Sequence, residues 1–160
     1  MEKDRIGQAS VPAPQPHMAG ITSSGLLPVT LVIGATAARR EAALAALLAT
    51  GPEQPAAARI ALILEGLPDG AQPMRLDPAQ NPAILQAARI APGCFCCIGN
   101  LTLRVTLNRM LRQRPSRLYI SLATVSHLDQ IRALMTVTPY DRWLTLTDDM
   151  QVSANDLQSD

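Results

Sequence analysis

All three cysteines of this 160-residue chain fall in one run, Gly93-Cys94-Phe95-Cys96-Cys97. Three thiols within four residues place three soft donors on one short loop. That is most of a tetrahedral shell for a thiophilic or borderline cation such as Zn2+ or Cu+. A fourth ligand must come from elsewhere in the fold. His127 and Asp69 are the candidates, since each follows an expected strand and so falls at the carboxyl-terminal edge of the sheet. Two other uses of the thiols stay open. Cys94 and Cys97 have the C-x-x-C spacing of a redox dithiol, although such pairs usually open a helix after an aromatic-rich segment, which is absent here. Buried, inert thiols are the other, and they would explain neither Gly93 nor the spacing. A lone histidine such as His127 is commonly a surface or capping residue rather than a ligand.

A second cluster lies at Gly34-Ala35-Thr36-Ala37-Ala38-Arg39-Arg40-Glu41. It lines up with the phosphate-loop pattern G-x-x-x-x-G-K-[ST] and departs from it at three places. Arg39 stands where the second glycine lets the backbone fold around phosphate, Arg40 where the lysine belongs, and Glu41 where a hydroxyl binds Mg2+. Gly34, Arg39 and Arg40 are what remains to contact a phosphate. A carboxylate in the same cradle would repel the group it should hold.

These residues need elements to position them. Val29-Thr30-Leu31-Val32-Ile33 is β-branched and apolar on both faces, the pattern of a buried parallel strand. Ala37 to Thr50 reads as a helix with Leu44, Leu47 and Leu48 at helical spacing, stopped by Gly51-Pro52. Arg59 to Leu64 is a second apolar strand, which makes the unit a βαβ crossover. Ile84 to Ile90 is a shorter strand, and Gly93 follows it. Asn100 is placed to cap a helix with Leu103, Leu107, Met110 and Leu111 on one face. Leu118 to Leu122 is a strand, Ser126 to Met135 a helix with Ser126 as N-cap, and Trp143 to Thr147 a last strand. The alternation predicts a three-layer α/β domain with a mostly parallel sheet, of the P-loop NTPase-like kind, with ligands at the carboxyl ends of the strands. Residues 1–27 read as a flexible Pro-rich leader, 28–148 as the domain and 149–160 as a polar tail.

Composition narrows the function classes. Fourteen basic and 13 acidic residues give a formal charge of +1, so no field draws the chain to nucleic acid or to an anionic membrane. Aromatics are 2% of the chain, which leaves an aliphatic core and no base-stacking platform. Lys3 is the only lysine, so chemistry that needs a lysine in the folded body is excluded. The longest apolar runs are of strand length, and the first residues lack the apolar stretch of a secretory signal. A cytoplasmic protein is the expectation.

Taken in order, Pro28-Val29-Thr30-Leu31-Val32-Ile33-Gly34, Arg59-Ile60-Ala61-Leu62-Ile63, Gly93-Cys94-Phe95-Cys96-Cys97 and Leu118-Tyr119-Ile120 resemble the nucleotide-binding domain of the CobW-type metal-trafficking GTPases. The resemblance runs from about Pro28 to Asp148, and the Gly-Cys-x-Cys-Cys loop is its specific part. In that family the loop is implicated in zinc binding coupled to GTP hydrolysis and metal delivery. The resemblance therefore implies zinc, or another thiophilic metal, at Cys94, Cys96 and Cys97, and a role in metal homeostasis or metallochaperone delivery. It also implies a metal ion, a client metalloprotein or a second copy of the chain as partners.

The departures from the family bear on catalysis. Glu65-Gly66-Leu67-Pro68-Asp69 stands where the family has Asn-Glu-x-Gly-Glu, and Ser121-Leu122-Ala123-Thr124 where it has Glu-Thr-Thr/Ser-Gly. With no lysine after Lys3, the base-reading N-K-x-D motif is also missing, and the chain stops before the position of that motif. Phosphoryl transfer rests on positioning and charge compensation, so these losses argue against an enzyme and leave GTP and Mg2+ in doubt as cofactors. The expectation is a pseudo-GTPase with no catalytic residue, its shortened sheet exposing an edge that a second copy or a partner would cover. The alternatives are a divergent GTPase using Arg39 or Arg40 in place of lysine, and a docking module that keeps only the fold.

Overall fold

A computed structural model describes residues 25–50, 58–67, 76–93, 101–123 and 125–153. Cys94, Cys96, Cys97, Asp69 and Asn100 lie outside the described residues.

Six strands are described: β1 (Leu27–Ile33), β2 (Ile60–Glu65), β3 (Ile84–Ile90), β4 (Arg117–Leu122), β5 (Leu144–Leu146) and β6 (Met150–Gln151). They form one sheet in the order β3-β2-β4-β1-β5, with β6 also paired to β1, and every described pairing is parallel. β5 and β6 lie end to end along β1, with Leu27 opposite Leu144 and Ile33 opposite Gln151. Between them the Thr147 N–H still donates to the Val29 carbonyl at 2.9 Å.

The helices are α1 (Ala37–Thr50), α2 (Leu101–Leu111) and α3 (Leu128–Met135). Because successive strand residues face opposite sides, the central strands feed two cores at once. Val29, Leu31 and Ile33 of β1, Ala61 and Ile63 of β2 and Leu118, Ile120 and Leu122 of β4 pack with Leu103, Leu107 and Met110 of α2 and Ile131 and Leu134 of α3. Val32, Ile60, Leu62, Leu64 and Tyr119 turn the other way, onto Leu44 and Ala45 of α1. Helices on both faces of a parallel sheet make the three-layer α/β, P-loop-like architecture expected from the strand patterns.

Two local expectations differ. A 3-10 turn, Val125–His127, precedes α3, so His127 rather than Ser126 stands at the N-cap position, with no side-chain cap bond. The strand β6 falls in the stretch read as a polar tail. Two residues carry too little periodicity to be seen in sequence, and backbone pairing to β1 decides their conformation.

Candidate metal centre and the closed phosphate cradle

The turn between β1 and α1 is short. α1 begins at Ala37, so two of the four variable positions of the phosphate-loop pattern are already helical. Thr36 caps the helix, its Oγ1 accepting the Arg39 N–H at 3.3 Å. That amide is thereby used within the chain instead of facing an anion. The Arg39 side chain is half-buried.

Arg40 is 1% exposed and spans three strand ends. Its Nε donates to Ser121 Oγ of β4 at 2.7 Å, its Nη1 to the Gly34 carbonyl after β1 at 2.5 Å, and its Nη2 to the Glu65 carbonyl of β2 at 2.6 Å. Burial pushes the guanidinium below its usual range, while the Glu65 and Glu41 carboxylates oppose that shift. The Arg side chain remains a cation whose planar fork fits three convergent acceptors, which a lysine ammonium would not match.

The wall facing Gly34 is closed too. The Val152 N–H donates to the Ile33 carbonyl at 2.7 Å, just beyond β6. A Cβ placed on Gly34 would meet Val152 Cβ at 3.0 Å, the Val152 carbonyl oxygen at 3.1 Å and Arg40 Cγ at 3.2 Å. The glycine is therefore needed for close approach by the chain itself.

Glu41 does not face this cradle. Its carboxylate is buried and takes two bonds from Arg89 of β3, at 2.6 and 2.8 Å, a bidentate pair joining α1 to the sheet edge. That bond to Glu41 is the main cause that pushes the Arg89 guanidinium above its usual range, against partial desolvation. The repulsion expected of Glu41 in the cradle is replaced by an ion pair with Arg89.

The other turn at this edge, after β3, immediately precedes the three cysteines in the sequence. Gly93, at φ +78°, is the last described residue before Cys94. Its N–H donates to Glu65 Oε1 at 3.0 Å, and the other oxygen of the same carboxylate, Oε2, accepts the Ala123 N–H at 2.6 Å. Glu65 thus ties the turn after β3 to the turn after β4, which holds His127. His127 is partly exposed, but its Nδ1 is buried and has no hydrogen-bond partner. Among the described residues no group of three or more potential metal ligands comes together. Of the sequence-predicted residues, the fold brings Gly34 and Arg40 together and leaves Arg39 apart.

Glu65, Ser121 and Val152 were missed by sequence reasoning as parts of this edge. Ser121 had a signal, a small hydroxyl between the buried apolar residues Ile120 and Leu122, and Glu65 another, a carboxylate closing a fully buried strand. Val152 had none.

Comparison with known proteins gives a partial likeness. Over 69 residues the chain is 39% identical to the zinc chaperone YeiR of Escherichia coli (strain K12). The match covers 42% of this chain and 20% of that protein, so the chain spans about a fifth of the relative's length. The likeness supports a CobW-like relationship. No family model and no solved structure matches the chain. No helix among the described residues is long and apolar enough to cross a membrane.

Proposed function

We propose that the chain is a CobW-like pseudo-GTPase domain that binds zinc through Cys94, Cys96 and Cys97 and serves zinc homeostasis in the cytoplasm, as a buffer or as a delivery partner for a client metalloprotein. The observation that carries the nucleotide half of this reading is Arg40. A guanidinium at the lysine position has its three donating nitrogens used on Ser121, Gly34 and Glu65, so the cation that would meet a phosphate is already paired within the chain. Val152 against Gly34 takes up adjoining space.

Support for the zinc half comes from chemistry and likeness. Three thiolates suit Zn2+, and the similar protein is a zinc chaperone. His127 is the better-supported fourth ligand, since Nδ1 is a buried polar atom without a partner. Asp69 is the other candidate. As cargo, the ion would be held by ligands that a client can displace one at a time.

The test is a zinc competition titration against a chromophoric chelator under reducing, anaerobic conditions. The native chain is compared with the C94S/C96S/C97S variant. One equivalent of tight, thiol-dependent binding is expected. Equal affinity in the two proteins overturns the zinc reading. A fluorescent GTP analogue with Mg2+ should not bind, and micromolar binding would overturn the pseudo-GTPase reading.

A further inference from the structure

We infer that the outer face of α2 is a docking surface for an acidic amphipathic helix of a partner protein. Neither the surface nor its test uses the thiols, so the inference stands or falls apart from the zinc reading.

The inner face of α2 is fixed by the core. Leu103, Leu107 and Met110 are buried against the sheet, which turns the opposite stripe of the helix to solvent. Leu101, Arg104, Val105 and Asn108 follow one another at helical spacing along that stripe. The Arg112 N–H donates to the Asn108 carbonyl at 3.4 Å, so Arg112 continues it. Leu101 is 59% and Val105 60% exposed. Arg104 and Arg112 are exposed on either side of Val105, and Arg109 lies on the flank beside the Gln86 amide of β3.

This stripe does little for the fold. A surface helix gains from opposite charges three or four residues apart. Here the stretch from Leu101 to Arg117 holds Arg104, Arg109, Arg112, Arg114 and Arg117 and no carboxylate, although the whole chain carries only +1. The ion pairs among the described residues are made by Arg89 and Arg132, and none reaches α2. Arg104 stands at the end of the first turn, where the helix dipole disfavours a cation, and Arg109 and Arg112 repel each other at i, i+3. Two large aliphatic side chains left in water add to that cost.

An apolar centre with a rim of arginines has the anatomy of a protein interface. Its complement is an apolar stripe flanked by carboxylates. Arg104 and Arg112 are roughly 12 Å apart along the axis, and a partner helix has the same rise. Carboxylates two turns apart on that helix would meet both arginines, with aliphatic side chains between them on Leu101 and Val105. Single-stranded nucleic acid calls for aromatic side chains to stack on, and the stripe has none. An anionic membrane calls for a broad apolar face, and that face of α2 is spent on the core.

The probe is a synthetic peptide about 18 residues long, enough to be helical alone, with leucines on one face, glutamates flanking them and alanines elsewhere. Its control is a permuted peptide of the same composition with no apolar face. The full chain is titrated into labelled peptide near physiological ionic strength and followed by fluorescence anisotropy. Saturable binding at one equivalent is expected, with the permuted peptide at least about tenfold weaker. R104E/R112E sets like charges against the peptide and should also weaken binding at least about tenfold, and V105S about three- to tenfold, each with native far-ultraviolet circular dichroism. C94S/C96S/C97S should bind the peptide as the native chain does. Equal binding of the two peptides, displacement by single-stranded RNA as effective as by unlabelled peptide, or native affinity in R104E/R112E would make the face a general polyanion surface and overturn the inference. Absence of binding overturns it as well. If a variant does not fold, amide shifts in the native chain decide: changes centred on Leu101 to Arg112 are expected when peptide is added, and changes centred elsewhere overturn the inference.

Discussion

The turn after β1 and the turn after β3 leave the same edge of the sheet, and each is where a parallel α/β fold offers a ligand site. The first is filled by the chain. Thr36 caps the helix, Arg40 takes the acceptors at three strand ends, and Val152 packs on Gly34. The second is held at its root, by Glu65 on Gly93, next to three thiols. A phosphate cradle works by leaving backbone donors and a cation unsatisfied until the ligand arrives, whereas a thiol loop needs only that its ligands be aimed. Here the Arg39 N–H and the Arg40 cation have been paired internally. The same arginine that closes the first turn bonds the backbone carbonyl of Glu65, the residue whose carboxylate holds Gly93 and Ala123.

R40A should have the largest effect, because it breaks that link. It leaves the Gly34 and Glu65 carbonyls and the buried Ser121 Oγ without their donor and strips the compensating charge from buried Glu65. Losses of this kind cost about 3–5 kcal/mol. The urea midpoint should fall accordingly with little change in slope. R40K should recover less than half, since an ammonium cannot present three donors in a planar fork. An unchanged midpoint would show that Arg40 does not hold the three strand ends together.

G34A sharpens the comparison from one side only. Its Cβ would crowd Val152 Cβ at 3.0 Å and Arg40 Cγ at 3.2 Å, so atoms must shift. The expected cost is about 1–3 kcal/mol of overpacking. V152G, added to G34A, should return part of it, giving a coupling that chemical denaturation measures as non-additivity. Zinc affinity should stay native, because among the described residues the Glu65 carboxylate is held by Gly93 and Ala123 and by neither of these two. A G34A protein of native stability would mean that Val152 does not sit on Gly34.

How much of this was legible follows from the range of the interactions. The strands β1, β2 and β4 and the helix α1 were readable because each is a continuous run whose burial is written in its own residues. The Gly93 turn was readable as well, and its φ of +78° is the conformation glycine tolerates best. The use of Arg40 was not. Its acceptors lie 6, 25 and 81 positions away, and a cation at a degenerate lysine position reads equally well as a phosphate contact until the strand order is known. Glu65 joins residues 28 and 58 positions away, which only the order β3-β2-β4 brings to one carboxylate. The α3 cap failed for a local reason, since a 3-10 turn moves the helix start past Ser126.

The smallest predicted effect is also the sharpest test of whether the first turn is closed. T36A removes the hydroxyl that accepts the Arg39 N–H and should cost about 1 kcal/mol, the usual value of an N-cap. It also frees a backbone donor at the amino end of α1, where the helix dipole favours an anion. If the cradle were open, inorganic phosphate would settle on that donor and restore stability to T36A more than to the native chain. With Arg40 paired to its three acceptors and Val152 against Gly34, no such recovery should occur. Phosphate stabilises folded proteins in general by exclusion from their surface, so the quantity to follow is the difference between the two proteins as phosphate is raised. A constant difference of about 1 kcal/mol marks the first turn as self-satisfied, and a difference that shrinks toward zero marks it as an anion site still in use.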